Sequence, residues 1–217
     1  MRRSFMSLLQ HVSTTRLPTL WGPFQMSIYL EVDVKKEHVL LWMGDWNKKG
    51  HIPLIRLHSE CLTGDVFSSL RCDCGQQFQD SMSAIAREGS GAVLYLRQEG
   101  RGIGLSAKMQ AYALQDAGLD TVEANVALGF GADERDFSVA VEILRASGVD
   151  QVRLLTNNPA KIEALEAGGI AVTERVSLQP LMQSENTRYL RTKIEKMRHL
   201  MSLDLANASD SPNTGEG

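Results

Sequence analysis

The chain has 217 residues, 43% of them hydrophobic, and a formal net charge of −3. That length is one large domain or two small ones, and the apolar share suits a soluble globular chain with a sizeable core. No apolar run approaches the ~20 residues of a membrane span, and the mild acidity excludes a general nucleic-acid binder, which carries a basic excess. An anionic ligand must then be held by local basic residues.

The first thirty residues lack Asp and Glu and include Arg2, Arg3 and Arg16. That composition faintly resembles a transit peptide, but the apolar stretch at Leu8-Leu9 is too brief for a secretory segment and no small-residue cleavage site follows. A short disordered extension over residues 1–15 and a cytoplasmic location are the expectation. Met26–Val32 and His38–Trp42 read as strands of a hairpin or meander joined by a charged turn at Asp33–Glu37, and Pro53–Leu57 as a short buried strand. Phe78–Glu88 has helical periodicity ahead of Gly89, and Ala92–Leu96 is strand-like. Leu105–Ala117 reads as a helix stopped by Gly118, and Phe137–Ala146 as another ending at Gly148. Val152–Leu155, Ala160–Ala167 and Ile170–Val176 continue as strand, helix and strand. This alternation implies an α/β fold: a mixed, mostly parallel sheet with flanking helices and an N-terminal antiparallel β segment. Arg188–Leu200 is expected as a helix packing along the body as a solvated amphipathic element, and residues 203–217 as a disordered tail.

Cys61, Cys72 and Cys74 form C-x10-C-x-C. An odd count excludes a complete disulfide framework. Two residues apart in an extended segment, Cys72 and Cys74 present their thiols on one face, where a loop can bring Cys61. Three thiolates suit tetrahedral Zn²⁺ and leave a fourth position for water, whose pKa zinc lowers toward ~7. The polar neighbours Arg71, Asp73, Gly75 and Gln76 argue against a merely buried set. The rival is a closed Cys3His site completed by His58, favoured about half as strongly, because structural sites more often pair their cysteines as C-x2-4-C. His58-Ser59-Glu60 also matches the H-x-E half of the zinc deaminase signature, whose P-C-x-x-C half is absent.

Arg97–Gly104 follows a strand and precedes a helix. Its glycines allow backbone approach to an anion at a helix N-terminus, and Arg101 can grip phosphate with its planar fork. Glycines also serve any tight turn of this kind. Thr156-Asn157-Asn158-Pro159-Ala160-Lys161 opens another helix. There Thr156 could donate to a phosphate and Lys161 supply a charge, while an ordinary Asn cap is at least as good a local reading. Asp133 reads locally as a helix-start acid, and Tyr112 as a semi-buried core tyrosine.

Together these segments resemble the GTP cyclohydrolase II family. The matching blocks are Leu17–Gly22, Arg56–Asp65, Ser69–Gly75, Arg97–Leu105, Asp120–Asn125, Leu128–Phe130, Ala132–Phe137 and Leu154–Pro159. The resemblance implies a catalytic domain over residues 16–202 that hydrolyses GTP in the first step of riboflavin biosynthesis, with release of formate and pyrophosphate. It implies Zn²⁺ on Cys61, Cys72 and Cys74, one per chain, and Mg²⁺ with the triphosphate. GTP contacts fall to Arg56, Leu57, His58, Ser59, Glu60, Gln77, Glu99, Gly100, Arg101, Thr121, Thr156 and Lys161. Asp133 is implied as proton acceptor, Arg135 as nucleophile or charge stabiliser at the α-phosphate, and Tyr112 as an active-site tyrosine. A homodimer is implied, with no nucleic-acid or membrane partner. The chain is too short for the dihydroxybutanone phosphate synthase domain fused to some members. A paralogue in a specialised pathway, a GTP or zinc sensor and a structural zinc module are the alternatives.

Overall fold

A computed structural model describes residues 9–131, 133–179, 184–195 and 197–200. Seven strands form one sheet: β1 (Leu9–Thr19), β2 (Gly22–Glu31), β3 (Lys36–Met43), β4 (Leu54–Ser59), β5 (Gly91–Leu96), β6 (Gln151–Leu155) and β7 (Ala171–Val176), in the order β1-β2-β3-β5-β4-β6-β7. The N-terminal strands and the β3–β5 pair are antiparallel, whereas β5–β4, β4–β6 and β6–β7 are parallel. The expected mixed α/β sheet with an antiparallel N-terminal segment is the observed one.

The helices are α1 (Leu62–Asp65), α2 (Cys74–Glu88), α3 (Gly104–Asp116), α4 (Thr121–Ala127), α5 (Ser138–Ala146), α6 (Pro159–Ala167) and α7 (Thr187–Glu195). Side chains alternate across the sheet with period two. Leu40, Ile55, Leu57, Leu94 and Leu154 therefore face one core beneath α5 and α6. Leu41, Leu54, Val93 and Leu155 face another with Met82 and Ile85 of α2. Among the described residues no helix is long and apolar enough to cross a membrane.

Three expectations need correction. Residues 9–15 are not a disordered extension: they belong to β1, which pairs with β2 through Thr19↔Gly22. Residues 1–8 and 203–217 lie outside the described residues. Cys74 is not in an extended segment but opens α2, because the helix begins four residues before its apolar periodicity does. The C-terminal helix packs along the body as expected, but it is shorter and less solvated than its composition suggests. Leu190, Thr192 and Lys193 are buried.

Candidate functional site

The site lies at the C-terminal ends of β4, β5 and β6, where ligands gather in sheets of this kind. Alternation along β4 turns Arg56 and His58 toward α2 and Leu57 away from it. The Leu57 side chain is fully buried in the opposite core, so only its backbone reaches the site, accepting from Lys161 Nζ at 2.7 Å. Arg56 is buried; its Nη2 donates to Gln77 Oε1 at 2.6 Å and its Nη1 to the Leu155 carbonyl. Burial lowers the Arg56 pKa to about 10, against the pull of Asp73 and Cys74.

The cysteine cluster is assembled by two glycines. A Cβ on Gly75 would lie 2.2 Å from the Gly64 carbonyl oxygen, and one on Gly64 would lie 2.9 Å from Cys72 Sγ. Only bare backbone lets α1 approach the start of α2 this closely. The three sulfurs lie within 4.8 Å of one another, with Cys61 and Cys72 Sγ atoms 3.7 Å apart. Thiolates on a tetrahedral zinc, at about 2.3 Å each, stand about 3.8 Å apart, so the donor set fits that ion. Hydrogen bonds from the Cys72 and Cys74 thiols push the Cys61 pKa down, aided by the Lys108 ammonium. The Cys72 thiol is correspondingly pushed up to about 11 and Cys74 is also raised.

His58 does not complete this cluster. Its Nε2 donates to Asp65 at 3.0 Å, and its ring packs against Phe78 and Tyr95. Burial lowers its pKa in spite of Asp65, so the ring is a neutral donor to the carboxylate. Asp65 also accepts from the Cys61 backbone N–H and from the Tyr95 hydroxyl. It thereby fixes the turn that carries the first cysteine.

The turn Glu99–Gly102 closes the site from β5. Gly102 has φ +95°, and a Cβ there would meet the Glu134 carbonyl oxygen at 2.8 Å. Residues 133–136 rest on that contact, with Glu134 N–H donating to the Arg101 carbonyl. The Glu99 carboxylate accepts from Leu62 N–H, Gly100 N–H and Lys108 Nζ, and so faces the protein. Arg101, by contrast, has both terminal nitrogens buried without a protein partner. Glu60 accepts from Arg97 Nε.

Arg135 and Asp133 form a two-point ion pair, and Arg135 Nη1 lies 3.5 Å from Ser59 Oγ. Burial works against both charges, but each partner overrides it. Asp133 is held below the usual carboxylate range, and Arg135 above the ordinary arginine value. Tyr112 sits one turn beyond Lys108 on α3, beneath the Arg71 guanidinium at 4.4 Å, and burial raises its pKa. Lys161 is buried 5.6 Å from the Phe137 ring centre, and burial with Arg56, Arg135 and Lys193 holds its pKa well below the ordinary lysine value.

One cavity brings most of these groups together. Its walls include Arg56, His58, Ser59, Glu60, Cys61, Cys72, Cys74, Gln77, Glu99, Gly100, Arg101, Tyr112, Thr121, Arg135, Thr156 and Lys161. Leu57 and Asp133 are not among its lining residues. Residues that sequence reasoning missed stand in the same walls. Lys108 donates to Cys61 Sγ, Thr63 Oγ1 and Glu99 Oε1; its place four residues before Tyr112, on the same helix face, was the available signal. Tyr189, Lys193 and His199 carried no such signal.

A family model for GTP cyclohydrolase II matches residues 10–177. The chain is 49% identical over 196 residues to a GTP cyclohydrolase-2 of Buchnera aphidicola, covering 90% of this chain and 98% of that one. It is 54% identical over 195 residues to a GTP cyclohydrolase-2 of Enterobacter, covering 89% and 98%. A riboflavin biosynthesis protein of Vibrio vulnificus is 53% identical over 194 residues, which is 89% of this chain and 53% of that relative's length. With a cysteine cluster that can hold a metal ion, a cation-lined cavity at the end of the sheet, and matches of this extent, the chain belongs to the GTP cyclohydrolase II family.

Proposed function

We propose that the chain hydrolyses GTP, opening the imidazole ring to give a diaminopyrimidine ribosylamine phosphate, formate and pyrophosphate, as the first step of riboflavin biosynthesis. The observation that carries this reading is one cavity lined both by the three thiols and by Arg56, Arg101, Arg135 and Lys161. Three hydrolyses are required: two C–N bonds at the purine C8, and the bond between the α- and β-phosphates, with one water for each. A zinc ion held by Cys61, Cys72 and Cys74 supplies Lewis acidity for the ring-opening water at neutral pH.

The protein's own residues do the rest. Arg101, with no internal partner for its fork, takes phosphate oxygens, and Thr156 and Lys161 take others. Mg²⁺ bound with the triphosphate would share its charge with these side chains. Arg135 stabilises charge at the α-phosphate; the Asp133 carboxylate that keeps it protonated makes a neutral guanidine nucleophile costly. Asp133, held ionised, is the proton acceptor, and Tyr112 keeps its phenolic proton for donation to the substrate. Arg56, Gln77 and the Arg56–Glu60 strand end orient the nucleotide, with Glu99 and Gly100 setting the turn that presents Arg101. The catalytic unit includes the whole of β1 and acts as a cytoplasmic homodimer without nucleic-acid or membrane partners.

The test is incubation with GTP, Mg²⁺ and Zn²⁺, measuring formate and pyrophosphate in one sample. Equal amounts of both are expected. ATP turnover should be at least a hundredfold slower, because donors and acceptors placed for guanine are left unpaired by adenine. Pyrophosphate without formate, or equal use of ATP and GTP, refutes the assignment.

A further inference from the structure

The segment beyond the family match, which ends at residue 177, reaches back into the cavity. α7 packs on α4, and Leu190 and Lys193 are buried. Lys193 Nζ pairs with Asp73, the residue between two of the cysteines. The other Asp73 oxygen accepts from Gln77 Nε2 at 2.6 Å, and Gln77 Oε1 accepts from Arg56. Lys193 is thus the outer end of a buried relay that terminates on Arg56.

The last described residues are pinned just as firmly. His199 N–H donates to the Lys193 carbonyl at 3.0 Å, and Leu200 N–H donates to the Asn157 carbonyl at 2.8 Å. This brings Tyr189, Lys193, Met197 and His199 into the cavity lining. The Tyr189 ring lies 5.8 Å from the Arg101 guanidinium. His199 Nδ1 is buried without a protein partner. Burial and the nearby cations Lys193, Arg135 and Lys161 push its pKa down to about 3, against a hydrogen bond of the ring with the Met197 backbone. A polyphosphate bound by those cations offsets their charge, so that the ring can take up a second proton, keep its Met197 contact and donate from Nδ1 to the anion.

We propose that the C-terminal segment forms a wall of the substrate site, in which His199 donates to the phosphate chain and Lys193, through Asp73 and Gln77, positions Arg56. This rests on the GTP assignment above. His199 touches the ligand in this arrangement; Lys193 acts through other residues.

The experiment uses full-length, zinc-loaded protein and its variants His199→Ala, Lys193→Met and Lys193→Arg, with folding checked by circular dichroism and zinc by elemental analysis. Affinities for a non-hydrolysable GTP analogue and for guanosine are measured by calorimetry. His199→Ala should weaken the analogue about tenfold, the size of one hydrogen bond to a charged group, and leave guanosine within about twofold. Lys193→Met should raise KM for GTP by a similar factor with kcat changed less, and Lys193→Arg should restore it by keeping the ion pair. A wall that only closes the fold would lower analogue and guanosine affinity together, and that result overturns the proposal. Unchanged analogue affinity in His199→Ala overturns it as well. Should Lys193→Met not fold, the His199 variant carries the test alone. Absence of analogue binding in the unaltered protein would instead strike the GTP assignment, so the two failures are distinguishable.

Discussion

At the scale of single residues, charge state decides roles. Arg135 is held by Asp133 on both terminal and inner nitrogens and stays protonated, which suits charge stabilisation. Arg135→Ala should cut formate and pyrophosphate release together, by about a hundredfold to a thousandfold, the usual loss for one transition-state donor. Arg135→Lys should keep a measurable fraction, since a point charge remains; a lysine variant as inactive as alanine would point to a need for the fork or a covalent bond. Lys161 makes a second case. In the free protein, burial and then Arg56, Arg135 and Lys193 depress its pKa well below the ordinary lysine value. A bound polyphosphate opposes those cations and raises the pKa again. Between the depressed value and the ordinary one, binding must therefore take up a proton; below and above that window it must not. Calorimetry of the GTP analogue in buffers of different ionisation heat should show this uptake, and Lys161→Met should remove that share of it. Identical proton counts for both proteins would contradict it. The cysteines were legible at this scale because a thiol triplet has few competing explanations. Lys193 and His199 were not, because lysine and histidine in a basic stretch look the same whether they face water or a cavity.

Elements were legible where their period was strong. β2, β3, β5, β6, α3, α5 and α6 lie within a few residues of the ranges read from apolar spacing and glycine stops. β1 was hidden because its side chains are mostly exposed: an edge strand pairs through its backbone and leaves little alternation to read. The start of α2 was hidden for another reason. Its first turn carries Cys74, Gly75, Gln76 and Gln77, chosen for the site and not for helical amphipathicity. Gly75 is the sharpest instance. A methyl group there meets the Gly64 carbonyl oxygen at 2.2 Å, a backbone atom that cannot swing away. Gly75→Ala should therefore spread α1 from α2 and separate Cys61 from its partners. The protein should remain folded on its two sheet cores but bind less than about a tenth of the zinc of the unaltered chain, by elemental analysis after dialysis. Full zinc occupancy would mean that the cluster tolerates a wider approach than the backbone contact indicates.

For the molecule as a whole, the mixed sheet could be read from strand–helix alternation, but the meeting of its parts could not. The cavity draws on β4, the Glu99–Gly102 turn, α3, α4, the loop before α6 and the segment after α7, which are spread from residue 56 to residue 199. That convergence follows from the strand order β5-β4-β6, which sets three C-terminal strand ends side by side. The same separation of parts predicts the consequence of metal removal. Both apolar cores lie in the sheet and its packed helices; Leu40, Ile55, Leu94, Ile143 and Leu154 serve one, and Phe24, Leu54, Met82 and Ile85 the other. None of the three cysteines belongs to either cluster. Small zinc modules unfold without metal because the ion is their core, whereas here the apolar cores are built from residues other than the cysteines. The cations Arg135 and Lys161 are held by carboxylate and backbone contacts and not by hydrogen bonds to the sulfurs. Chelation should therefore leave the far-ultraviolet circular dichroism unchanged and lower Tm by only a few degrees, about 1–2 kcal/mol in a domain of this size. GTP-analogue affinity should stay within about fivefold, formate release should fall below about a hundredth, and added Zn²⁺ should restore it. A zinc-free chain that loses its fold, or its grip on the triphosphate, would make the cluster a structural element of the site.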